Sequence, residues 1–191
     1  GKVVKKGVYG IHKDAKKVGS DKVNDLDLLS SADVVICHTN KQRQELNISI
    51  RQHKGFSGTY PQVGEKLICI RNNKNTGVCN GLSVIVTDIA YEGGYLVMDC
   101  VDEVGVKRNR LKVSTQYFDE GDHPFIRGTT DVNLFEFAYA ITAHKCQGST
   151  YGKVVVVEGA MINQRMNMKK RWMYTACSRA SQWLVWISKF K

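Results

Sequence analysis

Between Thr142 and Gly148 the chain lines up a hydroxyl, an imidazole, an ammonium and an amide, on Thr142, His144, Lys145 and Gln147, and closes the run with a glycine. Polar side chains of these types suit contacts to phosphate oxygens, whether of a nucleotide or of a nucleic-acid backbone. Gly148 lets the backbone turn there or approach a ligand closely. The same residues also read as a capped helix start with ordinary surface polarity. Further along, Arg171, Thr175 and Arg179 form an i, i+4, i+8 stripe, while Trp172, Met173, Ala176 and Cys177 supply an apolar face. By itself, an arginine on such a helix reads as a solvated or salt-bridged residue.

These residues need elements to hold them. Leu134–Ala140 reads as a strand, Thr142–Gln147 as a short helix, Val154–Val157 as a buried parallel strand, Asn167–Ala180 as a helix and Trp183–Ser188 as a closing strand. A run placed just after a strand of an open α/β sheet sits where such sheets bind ligands. Upstream, Asp33–Cys37 is a continuous apolar run, as for a strand covered on both faces. Thr39 or Asn40 then caps a helix over about Lys41–Gln52, with Leu46 and Ile50 at i, i+4. Strands alternating with helices imply a parallel sheet with helices on its faces.

Between about Gly55 and Asp131 the rhythm changes. Short strand candidates, Lys66–Arg71, Leu82–Ile89, Tyr95–Val101 and Val106–Val113, are punctuated by Asn80-Gly81 and Glu92-Gly93-Gly94, both hairpin signals. The pattern predicts a small SH3-like barrel inserted into the α/β domain. Strict alternation in Val106–Val113 puts Arg108, Arg110 and Lys112 on one face, with Leu111 and Val113 on the other. The expected organisation is a loop-rich lead-in over 1–30, an α/β domain over 31–60 and 131–191, and the barrel over 61–130.

The 191 residues suffice for one sizeable domain with an insertion, and the 42% apolar fraction supports an ordinary core. No apolar stretch reaches the ~18–20 residues of a membrane helix, so no membrane partner is expected. The 28 Lys and Arg exceed the 18 Asp and Glu, for a net charge of +10. That excess favours a polyanionic partner, nucleic acid being the commonest, and equally describes a basic solvated surface. The six cysteines form no C-x-x-C pair or Cys/His cluster, so buried thiols in a reducing cytosol are expected rather than disulfides or zinc. The first residue is Gly rather than Met, which suggests an excised fragment. The run Gly148-Ser149-Thr150-Tyr151-Gly152-Lys153-Val154 imitates a phosphate-cradling Walker loop, but its spacer is one residue short, Val154 has no hydroxyl for Mg²⁺, and it leads into a strand. No true Walker loop occurs elsewhere.

Taken in order, Ala140–Thr150, the Val154–Val157 strand and Tyr174–Ala180 resemble motifs V and VI of superfamily 1 helicases, in particular the RecD-like, 5′-to-3′ DNA helicases of bacteria and phages. Ala143 and Cys146 differ conservatively from the family pattern, and Ser178 retains the hydroxyl of the usual Thr. Thr39–Asn47 with Arg51 is similar to motif IV. Gly64–Asn73 with Asn80-Gly81 resembles the segment that enters the inserted barrel. The resemblance spans about Ala32 to Ile187 and is strongest in the last sixty residues. It implies the second RecA-like motor domain of an ATP-dependent DNA helicase, inactive by itself. Thr142, His144, Lys145 and Asn80 would contact nucleic acid, and Gln147, Gly148 and Arg43 would lie toward the nucleotide. Arg179 would be the arginine finger. The implied cofactors are ATP and Mg²⁺, bound mainly by an N-terminal RecA-like domain of the same parent protein, and the implied partner is single-stranded DNA, in a bacterial or phage-infected cytoplasm. A stand-alone nucleic-acid-binding module without a motor, or a helicase fragment acting on RNA, are the competing readings.

Overall fold

In the computed structural model, residues 15–119, 131–146, 148–159 and 166–188 are described, together with the backbone of Lys2–Val3. The chain forms two compact units, one from Gly1–Gly55 with Tyr139–Lys191 and one from Phe56–Ala138.

The first unit is an α/β layer. Its elements are β1 (Lys2–Val3), β2 (Ala15–Gly19), α1 (Leu26–Ser30), β3 (Val34–Cys37) and α2 (Asn40–His53). Elements of the second unit, β4 (Lys66–Cys69), β5 (Ser83–Glu92), β6 (Tyr95–Asp102), β7 (Lys107–Val113), β8 (Val132–Asn133) and β9 (Phe135–Phe137), come next in the chain. The first unit resumes with β10 (Ala140–Thr142), β11 (Tyr151–Val157), α3 (Met166–Cys177) and β12 (Ala180–Ser188).

Its sheet runs in the order β1-β2-β12-β11-β3-β10, parallel except for β1. β3, whose four residues are all buried, lies between the edge strand β10 and Val154–Val157 of β11. Continuous β-branched runs of this kind suit a strand with apolar cover on both faces. From β3 through α2 to β10 the path moves one way along the sheet, and from β11 through α3 to β12 it moves the other. Right-handed crossovers therefore place α2 and α3 on opposite faces.

Three expectations change here. The lead-in is not all loop: Ala15–Gly19 pairs in parallel with Leu184–Ser188 of β12. Lys16 and Lys17 concealed the strand, although Lys17 Nζ lies 5.1 Å from the Trp186 ring centroid, so its stem covers an aromatic face. The single strand over Leu134–Ala140 is two, β9 in the second unit's sheet and β10 in the first. The short helix expected over Thr142–Gln147 is absent as such: Thr142 ends β10, and turns follow over residues 143–146. Buried Ala143 and Cys146 with Gly148 at φ +88° mark one turn that stops at the glycine.

The second unit is a six-stranded sheet in the order β8-β7-β6-β5-β4-β9. Its end strands β8 and β9 are separated in the chain by Leu134 alone, so the sheet curls until its edges are adjacent, a nearly closed barrel. Leu67, Val84, Val86, Leu96, Met98 and Phe135 fill it. One face assignment is corrected. Cys100 pairs with Arg108 and Met98 with Leu111, so two residues of β7 oppose Asp99. Arg110 takes up the bulge at φ +51°, its N–H donating to Asp99 Oδ1 at 2.6 Å. The extra residue reverses the alternation, and Arg108 points to the same side as Leu111 and Val113, salt-bridged to Asp102 at 3.0 Å.

Candidate functional site

The sequence-selected residues of the first unit gather at the two ends of its parallel strands. At the C-terminal end of β3, Thr39 caps α2, its Oγ1 accepting from Gln42 N–H at 3.2 Å. That cap ends the strand and sends the helix back along the sheet. Arg43 lies one turn in, 9% exposed, and its charge acts on the Cys37 thiol. Burial nevertheless wins and pushes that thiol up to about 12.

Asn47 is the hinge between α2 and β10. β10 is the edge strand, and its Ala140 turns both backbone groups away from β3, toward the helix. Asn47 Nδ2 donates to Ala140 O at 2.8 Å and to Arg43 O at 2.9 Å, while Ala140 N–H donates to Asn47 Oδ1 at 2.9 Å. The amide thus replaces a missing strand.

Thr142 ends β10 level with Cys37 of β3. Its hydroxyl residue is 8% exposed, its carbonyl accepts from Lys145 N–H at 2.9 Å, and His144 is exposed beside it. Across the same end, His38 meets the buried Trp172 ring edge-on at 5.6 Å. Burial, aided by the charge of His144, holds His38 below the ordinary histidine range.

Because β10 and β11 both run parallel to β3, residues 143–150 must cross back to the opposite end before β11 starts. Ala143 and Cys146, both buried, fix this crossing to the sheet. It arrives at Gly148, exposed at φ +88°, and Ser149. Arg179 waits there. α3 ends at Cys177, three residues before the expected end, and Arg179 occupies the turn that joins it to β12 rather than a helical stripe. Its Nη1 donates to Ser149 O at 3.2 Å, Nε to Thr175 O at 3.2 Å and Nη2 to Ser178 Oγ at 3.1 Å. Tyr151 N–H donates to Arg179 O at 2.8 Å, which locks the start of β11 to the start of β12. A guanidinium on the last carbonyls of a helix is favoured by the helix dipole. Cys146 lies close enough to feel its charge, yet burial raises that thiol to about 11.

Thr142 and Arg179 are therefore not neighbours. Thr142 is level with Cys37 and hence with Val157, whereas Arg179 precedes Ala180, which pairs with Tyr151. Six strand steps at ~3.3 Å each put the two ends about 20 Å apart. Thr142, His144, Lys145 and Arg43 belong to one end, and Gly148 and Arg179 to the other, joined by the crossing. Gln147 lies outside the described residues. Asn80 belongs to the barrel unit, exposed, its N–H donating to Asn72 Oδ1 at 2.7 Å. Among the described residues no three His, Cys, Asp or Glu side chains cluster to suit a metal.

Sequence reasoning missed Asn47 as the link between helix and strand, Ser149 as the acceptor for Arg179, and Glu158, a fully buried carboxylate after β11. Asn47 carried a signal, standing on the apolar face of a helix at i+1 from Leu46. Ser149 acts through its carbonyl, which side-chain chemistry cannot mark.

Residues 137–187, covering β10, the crossing, β11, α3 and nearly all of β12, match the UvrD-like helicase C-terminal domain. An uncharacterized protein of Methanocaldococcus jannaschii is 29% identical over 140 residues, 66% of this chain and 11% of that protein. The structure of Bacteroides Pif1 bound to ssDNA is similar at TM-score 0.53 and 17% identity, over 90% of this chain and 48% of that one. Bacteroides Pif1 with ADP-AlF3 and ssDNA gives 0.54 and 18%, over 91% and 46%. Candida albicans Pif1 gives 0.52 and 17%, over 88% and 49%. The chain spans about a tenth of the curated relative and about half of each Pif1 chain. It shares the fold of that half of the Pif1 helicases, and its segment 137–187 is similar to the UvrD-like helicase C-terminal domain.

Proposed function

We propose that this chain is the second RecA-like motor domain, with its inserted barrel, of an ATP-dependent superfamily 1 helicase that moves along single-stranded DNA. One observation carries the reading: the Arg179 guanidinium rests on the carbonyl of Ser149, so two segments thirty residues apart in sequence meet at one cation beside an exposed glycine. The helicase-domain match spans both segments, and the Pif1 similarity in fold supports the same assignment.

In this reading Arg179 leaves Ser149 for the γ-phosphate of ATP held, with Mg²⁺, by an N-terminal RecA-like domain of the parent. A planar, permanently charged guanidinium stabilises the charge that spreads over the transferring phosphoryl oxygens. Gly148 stands on the same side, and its sequence neighbour Gln147 is assigned to the nucleotide by the resemblance. Releasing Ser149 frees one end of the crossing whose other end carries Thr142, His144 and Lys145, the residues assigned to the DNA backbone. Arg43, in the first turn of α2, stands at the same end as Thr142. The barrel, with Asn80 on a hairpin, adds a further DNA contact. Movement toward the 3′ end, as in RecD-like enzymes, completes the proposal.

A second reading, a nucleic-acid-binding module without a motor, is favoured by the three hydrogen bonds that already satisfy Arg179 within the unit. ATP turnover separates the two. The longer parent protein hydrolyses ATP when single-stranded DNA is added, and residues 1–191 alone do not. A parent without DNA-stimulated turnover, or turnover by 1–191 alone, contradicts the proposal.

A further inference from the structure

Glu158 follows β11 directly and is 1% exposed. Its N–H donates to Ile187 O at 3.1 Å, which seats the residue between the ends of β11 and β12. Its Oε2 accepts from Ser188 Oγ at 2.6 Å and from Trp186 Nε1 at 3.2 Å. Its Oε1 is ion-paired with Lys169 Nζ, in the first turn of α3. The carboxylate's charge also reaches the other end of that helix, where it adds to the burial that raises the Cys177 thiol to about 12.

Removing a carboxylate from water is costly, and a buried ion pair seldom returns more stability than apolar residues of the same volume. What the pair supplies is a single geometry. The apolar side of α3, with Trp172, Met173, Ala176 and Cys177 buried, fixes how deeply the helix sits. Apolar contact is non-directional, so it leaves sliding and rotation of the helix weakly determined. A charged pair with directed hydrogen bonds does not.

We propose that Glu158 is a positioning residue: by pinning Lys169 to the ends of β11 and β12 it sets the axial position of α3, and so places Arg179, which leaves the far end of the same helix, against Ser149. A helix is a stiff rod, and a shift at its first turn is delivered to its last. The functional consequence rests on the reading of Arg179 as the group that faces nucleotide.

The test uses residues 1–191 with ¹⁵N-labelled arginine. The Arg179 Nε–H resonance, identified by its loss in Arg179→Lys, reports the hydrogen bond to Thr175 O. In Glu158→Gln, and in the charge-free double variant Glu158→Met with Lys169→Met, circular dichroism should show a folded chain. The Arg179 Nε–H should shift and exchange with solvent at least about tenfold faster, as for an opened local contact. The Arg108 Nε–H, in the other unit, should not change, and Glu158→Asp should restore part of the protection. A wild-type Arg179 signal in the folded variants overturns the proposal, and the double variant decides if Glu158→Gln does not fold. If the signal moves while Arg179→Ala leaves ATP turnover of the longer protein untouched, the positioning stands and the proposed function fails.

Discussion

Replacing Asn47 by alanine should cost the first unit more than any single apolar contact on α2. The side chain is 3% exposed, and its amide satisfies both outward-facing backbone groups of Ala140 on the edge strand. Alanine leaves a buried N–H and a buried C=O with no replacement from β3, at ~1–3 kcal/mol each when left unsatisfied. The two losses together come to about 2–6 kcal/mol. At ~2–4 °C per kcal/mol for a chain of this size, the melting temperature should fall by roughly 4–24 °C. Asn47→Asp keeps the acceptor for Ala140 N–H but sets an oxygen against Ala140 O, so it should lose at least as much. The assay is thermal unfolding of residues 1–191 by circular dichroism, wild type beside both variants. A folded Ala variant melting within about 2 °C of wild type would refute the claim that this amide closes the sheet edge.

Other outcomes follow from the same geometry. Five of the six cysteines are buried and Cys79 is exposed, so at pH 8 a thiol reagent should label Cys79 quickly and the rest only on unfolding; rapid labelling of Cys37 or Cys177, both pushed to about 12, would contradict the packing. Burial would raise the Asp102 carboxyl, but donation from Val106 and Val104 N–H groups and from Arg108 outweighs it and holds the group low. A carboxylate depressed in the folded state stabilises above its unfolded value of ~3.9, and that contribution is lost as pH falls further. Barrel stability should therefore decline below about pH 4, and Asp102→Asn should flatten the decline. Binding of single-stranded DNA to residues 1–191 should be weak and indifferent to sequence, each phosphate contact adding ~0.7 to the salt slope; equal affinity at low and high salt would exclude backbone contacts.

The sequence announced those elements whose causes are local. Val34–Cys37 and Val154–Val157 are apolar runs too short for anything but covered strands. Thr39 marks the start of α2 because a hydroxyl cap acts within three residues, and Asn80-Gly81 and Gly93-Gly94 mark turns because glycine tolerates positive φ. The misses are those whose cause lies elsewhere in the chain. The bulge at Arg110 depends on Asp99, eleven residues away, and it reverses the side on which Arg108 lies. The break between β9 and β10 depends on which sheet each half finds. Lys17 gave no sign of a strand because the Trp186 ring that it covers comes from the end of the chain. At the candidate site the residue types were legible, but their separation into two ends about 20 Å apart came only from the strand register.

The measurement closest to the central claim is ATP turnover by the longer parent protein carrying Arg179→Ala, with saturating single-stranded DNA. The substitution removes hydrogen bonds to Thr175 O, Ser149 O and Ser178 Oγ, so residues 1–191 should melt lower by a loss of ~1–3 kcal/mol but remain folded. Turnover should fall by ~10³–10⁵, about 4–7 kcal/mol of transition-state stabilisation. Arg179→Lys should recover little, since an ammonium lacks the planar fork. Near wild-type turnover by the Ala variant would make Arg179 a helix cap and nothing more, and the motor assignment would be wrong.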